Sequence, residues 1–213
     1  MIYLIIGLIL LLSYLFGGFS TARILAKNVR SLNIYKVGTG LADTENIYTN
    51  VSHPMGILVG LIDASKSYFY LAIVNFILQI LDQAPGIDLA LAFQGNVLML
   101  YGMALLIGHC LPISNHLRGG RGIFTYVGIV AFFAPIPSMI AVLIGWGLVF
   151  FWKQIRFAQY SIVILPLILE SVLESFIKGY NADRPPHFIP MMMGLALLMG
   201  ITNITLSKRL GEF

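Results

Sequence analysis

The sequence predicts an all-α, polytopic membrane protein: one domain, residues 1–213, built as a seven-transmembrane-helix bundle with short fourth and fifth helices. Three observations predict it. Of the 213 residues, 58% are hydrophobic and only 10% are charged, against roughly 25% charged in a soluble domain, and the mean hydropathy is +0.88. Several stretches reach the roughly 20 apolar residues that cross a bilayer. Once seven spans are drawn, the basic residues of the loops divide nine against two between the two faces.

The first span is expected at 2–25. Its opening, MIYLIIGLILLLSYLFGG, lacks the basic start and small-residue cleavage site of a signal peptide, so it reads as a retained helix. Further spans are expected at 54–81, 88–111, 122–133, 136–152, 157–178 and 188–206. Residues 122–152 form 31 residues without one Asp, Glu, Lys or Arg. As one straight helix they would reach about 46 Å across a hydrocarbon core of about 30 Å. Pro135 and Pro137 interrupt that run near its middle, which predicts two short helices.

Charge bias agrees with that division. One face then carries Lys27, Arg30, Lys36, Arg118, Arg121, Lys153, Arg156, Lys208 and Arg209; the other carries Lys178 and Arg184. By the positive-inside rule the N-terminus lies outside, and the C-terminus and the polar loops 27–53 and 108–122 lie in the cytoplasm.

Those two loops hold the candidate chemistry. In RGGRG, Arg118 and Arg121 flank Gly119 and Gly120, and Gly122 opens the fourth helix. Glycines admit an anion close to backbone N–H groups, a helix N-terminus carries partial positive charge, and two guanidiniums beside it make a phosphate cradle. The same residues alone read equally as charge anchors around a turn. In the first loop, Lys36 precedes Gly38-Thr39-Gly40, half of a phosphate-binding turn. The pattern is weak by itself and gains weight from sharing a face with the other loop.

His109 closes the third span immediately before the cradle. His53, His116 and His187 make no metal-ligand spacing with it, so no metal is expected. Cys110, the single cysteine, reads as a small packing residue. Asp63 and Lys66 lie three residues apart on one face of the second span and read as a structural ion pair. Glu170 and Glu174 sit towards the outer end of the sixth span, with Glu174 four residues from Lys178. They read as architecture. One arginine-glycine repeat beside membrane spans does not make a nucleic-acid site.

Taken together, the chain resembles the bacterial membrane-bound acyl-phosphate:glycerol-3-phosphate acyltransferase family, the PlsY type. The resemblance rests on YLFGGFSTARILAK (14–27), YKVGTGLADTENIYT (35–49), GLIDASKS (60–67) and GHCLPISNHLRGGRGIFT (108–125). The last is long and specific. The resemblance implies a seven-helix bundle in the bacterial inner (plasma) membrane with its site at the cytoplasmic face. It also implies transfer of a fatty acyl group from acyl phosphate to the 1-hydroxyl of glycerol 3-phosphate, giving lysophosphatidic acid, with no cofactor. By position, His109 and Thr39 take catalytic places. Lys36, Gly38, Gly40, Asn46, Arg118, Gly119, Gly120, Arg121, Gly122 and Asn203 take phosphate- and substrate-binding places.

The chain also departs from the family pattern. Thr49 stands where the family has an arginine associated with glycerol phosphate. Leu41 replaces an asparagine, and Asp43-Thr44-Glu45 replaces Gly-Ala-Thr. Asp43 and Glu45 are expected to repel glycerol 3-phosphate unless Lys36 or Arg23 neutralises them. Both glycine-loop lysines are arginines, and the C-terminal motif is reduced to ITNI (201–204). Two rival readings follow: a relative that uses another acceptor or only binds a lipid or a partner protein, and a transporter of a small phosphorylated solute. Against the transporter, no inverted repeat is visible.

Overall fold

The computed structural model describes residues 1–177, 179–180 and 185–210, with the side chains of 209 and 210 excepted. Among them the chain is all helical. The helices are α1 (Ile2–Gly17), α2 (Thr21–Arg30), α3 (Thr44–Asn50), α4 (His53–Asp82), α5 (Gly95–Cys110), α6 (Ile123–Phe133), α7 (Pro135–Trp152), α8 (Ile155–Phe176) and α9 (Phe188–Leu210). Among the described residues, six segments are long and apolar enough to cross a membrane: 2–30, 53–82, 95–115, 135–152, 155–176 and 188–208. Large apolar side chains such as Leu4, Phe69, Phe76, Leu143, Ile164 and Leu197 are exposed on their outer faces. That distribution suits contact with lipid rather than water.

Three boundaries differ from the sequence reading. The third span, expected at 88–111, becomes α5 only from Gly95, after a separate single turn over Ala90–Phe93. The stretch 2–25 is not one helix: it breaks at Gly18-Phe19-Ser20, and Ser20 caps α2 by accepting from Arg23 N–H at 3.2 Å. The expected loop 27–53 in turn contains the last turn of α2 and all of α3. Asp43 starts α3 as its N-cap, accepting from the Asn46 N–H at 2.9 Å. The expected interruption in 122–152 is a single residue, Ala134, and Pro135 occupies the first position of α7. Proline suits that place because its missing N–H has no partner there in any helix.

With 11 residues, α6 rises about 17 Å, short of a bilayer core. It is nevertheless the centre of the bundle, packed by α4, α5, α7, α8 and α9. Residues Thr125 to Val130 are all buried, as an all-apolar helix requires when it does not face lipid. Elsewhere, α1 crosses α5 with the backbones in contact. A Cβ on Gly17 would lie 2.1 Å from the Leu105 carbonyl oxygen, and one on Gly108 would lie 1.9 Å from that of Tyr14.

At one end of the bundle four segments converge: the first loop with α3, the glycine loop before α6, the first turns of α8 and the later part of α9. Towards the other end, Glu170 is fully buried and accepts from the Tyr180 hydroxyl at 3.3 Å. Lys178, with its expected pairing to Glu174, and Arg184 lie outside the described residues.

Candidate active site at the polar end of the bundle

The glycine loop is held by the backbone around it. Gly120 N–H donates to the His109 carbonyl at 3.2 Å, and Ala42 N–H donates to the Gly119 carbonyl at 3.2 Å. A Cβ at Gly119 would fall 2.0 Å from the His109 oxygen, so only glycine fits between the end of α5 and the first loop. Farther out, Tyr35 donates to the Arg118 carbonyl at 3.3 Å and accepts from the Asn115 amide. Burial raises the Tyr35 phenol above its ordinary pKa. The Arg118 side chain itself is exposed.

Arg121 points inward and is only 2% exposed. A buried guanidinium costs several kcal/mol unless charge and hydrogen bonds compensate it. Here Glu45 Oε2 lies 2.8 Å from its Nη1, and Asp43 Oδ2 lies 4.0 Å away. Asp43 also accepts from the Arg121 backbone N–H at 3.3 Å, and Asn203 Nδ2 donates to the Arg121 carbonyl at 3.0 Å. The acidic residues expected to repel phosphate are therefore the counter-charges of the loop arginine. Neither Lys36 nor Arg23 is the neutralising partner. Burial raises the Asp43 carboxyl above its ordinary pKa, and Glu45 adds to this; the Asn46 N–H and Arg121 oppose it.

Glu45 has two more neighbours. Gln159 Nε2 donates to the same Oε2 at 2.8 Å, and Arg156 Nη1 lies 3.7 Å from it. Both come from the start of α8, three residues apart and so on one face.

A second buried cluster lies alongside. Lys66 pairs with Asp63 at 3.1 Å, as expected from their spacing, and donates to the Phe19 carbonyl at 2.7 Å. Thr21 donates to Asp63 Oδ1 at 2.9 Å. The Lys66 ammonium also lies 3.2 Å from His109 Nδ1. An ammonium offers donors only, so Nδ1 accepts and the neutral ring carries its proton on Nε2. That nitrogen faces Gly120, where a Cβ would sit 2.9 Å from it.

The first loop is arranged by Asn46, which is fully buried. Its Oδ1 accepts from Thr39 N–H at 3.2 Å, and its Nδ2 donates to the carbonyls of Val37 at 2.9 Å and Leu41 at 2.8 Å. Gly38 and Gly40 take positive φ, +51° and +70°, which the tight turn around that amide requires. The Thr39 hydroxyl accepts from Leu41 N–H at 3.4 Å, and Lys36 is exposed.

Two clefts open from this place. His109, Arg121, Gly122, Asp43, Glu45 and Asp63 line the polar end of the first, and Phe124, Trp146, Val149 and Ile162 of α6, α7 and α8 line the rest. The second runs between α8 and α9 past Val163, Leu167, Met193 and Leu197, with Arg121, Arg156 and Asn203 at its head. Arg121, Ile123 and Gln159 are common to both. The structure thus gathers His109, Arg121, Gly122 and Asn203. Thr39, Lys36, Gly38, Gly40, Asn46 and Arg118 do not line either cleft. Sequence reasoning missed Gln159 and Arg156, for which no local motif exists. The Asp63–Lys66 pair expected from the spacing is present, and Lys66 in addition reaches His109 Nδ1, which no local motif announces.

The described residues thus form a helical membrane bundle with buried charge at the head of apolar clefts. The chain belongs to the glycerol-3-phosphate acyltransferase family, whose model matches residues 7–210. It is 29% identical over 162 residues to the glycerol-3-phosphate acyltransferase of Mycoplasma mobile, covering 76% of this chain and 63% of that one. It is 32% identical over 124 residues to glycerol-3-phosphate acyltransferase 1 of Lactobacillus acidophilus, covering 58% and 53%. The match to the Halalkalibacterium halodurans enzyme of the same name is 27% over 186 residues and covers 87% and 82%. The matched segment thus spans less than two thirds of the first two relatives. In fold the chain is similar to the crystal structure of PlsY, an integral membrane glycerol 3-phosphate acyltransferase, in its glycerol 3-phosphate form. The TM-score is 0.72 at 21% identity, over 96% of this chain and 91% of that one. The lysophosphatidic acid form gives 0.71 at 20% identity.

Proposed function

We propose that the protein transfers a fatty acyl group from acyl phosphate to the 1-hydroxyl of glycerol 3-phosphate, releasing inorganic phosphate and lysophosphatidic acid for phospholipid synthesis. Family membership supports this reading, and so do the names of the relatives. The observation that carries it is the buried Arg121 at the head of apolar clefts, which can hold the phosphate of an acyl phosphate while its fatty chain lies between the helices.

Acyl phosphate is a mixed anhydride and already activated. The acceptor oxygen bonds to the carbonyl carbon, the carbon–oxygen bond to phosphate breaks, and the hydroxyl proton leaves with phosphate. The protein then has to position two anions and stabilise the developing oxyanion. Arg121, with Gly122 and the α6 N-terminus, holds a phosphate. His109 presents Nε2–H and so acts as a hydrogen-bond donor, leaving a substrate phosphate oxygen as proton acceptor. Asn203 fixes the Arg121 backbone. Asn46, Gly38, Gly40 and Thr39 shape the first loop, Gly119 and Gly120 seat the glycine loop, and Lys36 and Arg118 draw anions to that face.

The bundle is one domain of the bacterial plasma membrane with seven membrane segments, of which α6 reaches only part of the way through the hydrocarbon core, and with the N-terminus outside. Cysteine labels at positions 33 and 116 should react from the cytoplasm; reaction of 116 from outside overturns this topology.

The test of function is purified protein with acyl phosphate and a panel of acceptors, with lipid products identified by mass spectrometry. Glycerol 3-phosphate should be acylated with a salt-sensitive KM. Thr49 is exposed at the end of α3, and Thr49→Arg should lower that KM about tenfold, equivalent to about 1.4 kcal/mol. Acylation of another acceptor alone would move the assignment to that compound. Solute flux without any acyl product would mean a transporter.

A further inference from the structure

Glu45 is held as a bound phosphate would be. One oxygen of its carboxylate meets Arg121 Nη1 at 2.8 Å, Gln159 Nε2 at 2.8 Å and Arg156 Nη1 at 3.7 Å. Two guanidiniums and an amide, from the glycine loop and the start of α8, converge on one anionic oxygen, the donor set that phosphate oxygens take. The place is also reachable: the Glu45 side chain is 15% exposed and that of Arg156 is 48% exposed.

We propose that Arg121, Gln159 and Arg156 form a phosphate subsite and that Glu45 is its built-in plug, which a phosphate-bearing substrate displaces. The inference rests on the reading of Arg121 as a phosphate ligand. It adds Gln159 and Arg156 to that site and gives the Glu45 departure a role.

The plug can leave at small cost because Arg121 has a second carboxylate. Asp43 stays 4.0 Å from the guanidinium and keeps the Arg121 backbone N–H. Asp43 is anchored as the N-cap of α3, accepting from the Asn46 N–H, so it cannot follow. Glu45 sits in the first turn of a seven-residue helix and needs only side-chain rotation to swing clear. The two carboxylates therefore divide the work: Asp43 holds the arginine in place, and Glu45 competes with substrate for it.

The subsite takes a phosphate group, which donor and acceptor share, so the kinetic arms separate them. In the full chain, Glu45→Gln should lower KM for acyl phosphate or for glycerol 3-phosphate about tenfold, the scale of one charge-assisted hydrogen bond, with kcat no lower. The substrate whose KM falls is the one that displaces the plug. Arg156→Gln should raise the same KM. Inorganic phosphate, followed by thermal stabilisation of the purified protein, should bind Glu45→Gln about tenfold more tightly than the unmodified chain. This arm needs no turnover, so an absence of acyl transfer overturns the proposed reaction without touching the plug. Should Glu45→Gln not fold, Glu45→Asp keeps a charge near Arg121 while withdrawing the carboxylate by one methylene. It should shift both readouts in the same direction by a smaller factor. Unchanged or raised KM together with unchanged phosphate binding in the folded variant overturns the proposal. A fall in kcat at constant KM does so too, because it makes Glu45 a catalytic group.

Discussion

The polar end contains two buried charge clusters of different construction. Asp63 and Lys66 lie one turn apart on a single helix, and both side chains are under 10% exposed, at 3% and 7%. Thr21, the first residue of α2, and the Phe19 carbonyl, in the break before it, close the cluster. Arg121 and Glu45 are 76 residues apart and are joined by the start of α8, with Arg156 half in the open. The first cluster is a lock made mostly within one helix. The second is an assembly of separate segments, and it lies where the clefts meet. Charges that must stay are enclosed; charges that exchange partners are left an exit.

Removing one member from the enclosed cluster should have the largest effect. Lys66→Met leaves Asp63 buried with Thr21 as its remaining side-chain partner and should cost about 3–5 kcal/mol, read as a lower unfolding midpoint in detergent. Asp63→Asn added to it should recover much of the loss. If Lys66→Met costs no more than a surface pair, the contrast between the clusters is void.

Arg121→Ala should disturb stability less, because Glu45 keeps Gln159 and Arg156 as partners. Its main effect should be on turnover, with kcat/KM down by one to two decades, the equivalent of about 1.5–3 kcal/mol. Arg121→Lys should keep part of the activity. Unchanged kinetics in the alanine variant would leave Arg121 a packing charge like Lys66.

The smallest effect concerns Asp43, which belongs to the second cluster but is enclosed like the first. Burial first, then Glu45, raises its folded pKa above the ordinary value of 3.8. The folded chain then binds its proton more tightly than the unfolded chain. That contribution to stability is present below pH 3.8 and is lost as pH rises through the raised folded value. Asp43→Asn keeps an N-cap and should cost less than about 1 kcal/mol near neutrality, while flattening this fall in stability with pH. An undiminished pH dependence in Asp43→Asn, followed by chemical unfolding, would remove Asp43 as its source.

The sequence by itself determined the helical membrane class and most helix positions, because burial in lipid demands long apolar runs that composition displays directly. It also determined the Asp63–Lys66 pair, since a spacing of three residues is a local property of a helix. The glycine loop and its arginine were legible as a motif beside a helix start. The break at Gly18-Phe19-Ser20 was not, because hydropathy runs through it and only the Ser20 cap marks the new helix. Tertiary structure alone decided what Asp43 and Glu45 do. Read along the chain they are two negative charges in an anion-binding loop, and only folding brings Arg121, Gln159 and Arg156 onto them. It likewise decided that His109 meets Lys66, that Asn46 spends its amide on the first loop, and that the 11-residue α6 is the central helix. Such pairings depend on where distant segments arrive, and no periodicity or local spacing encodes that.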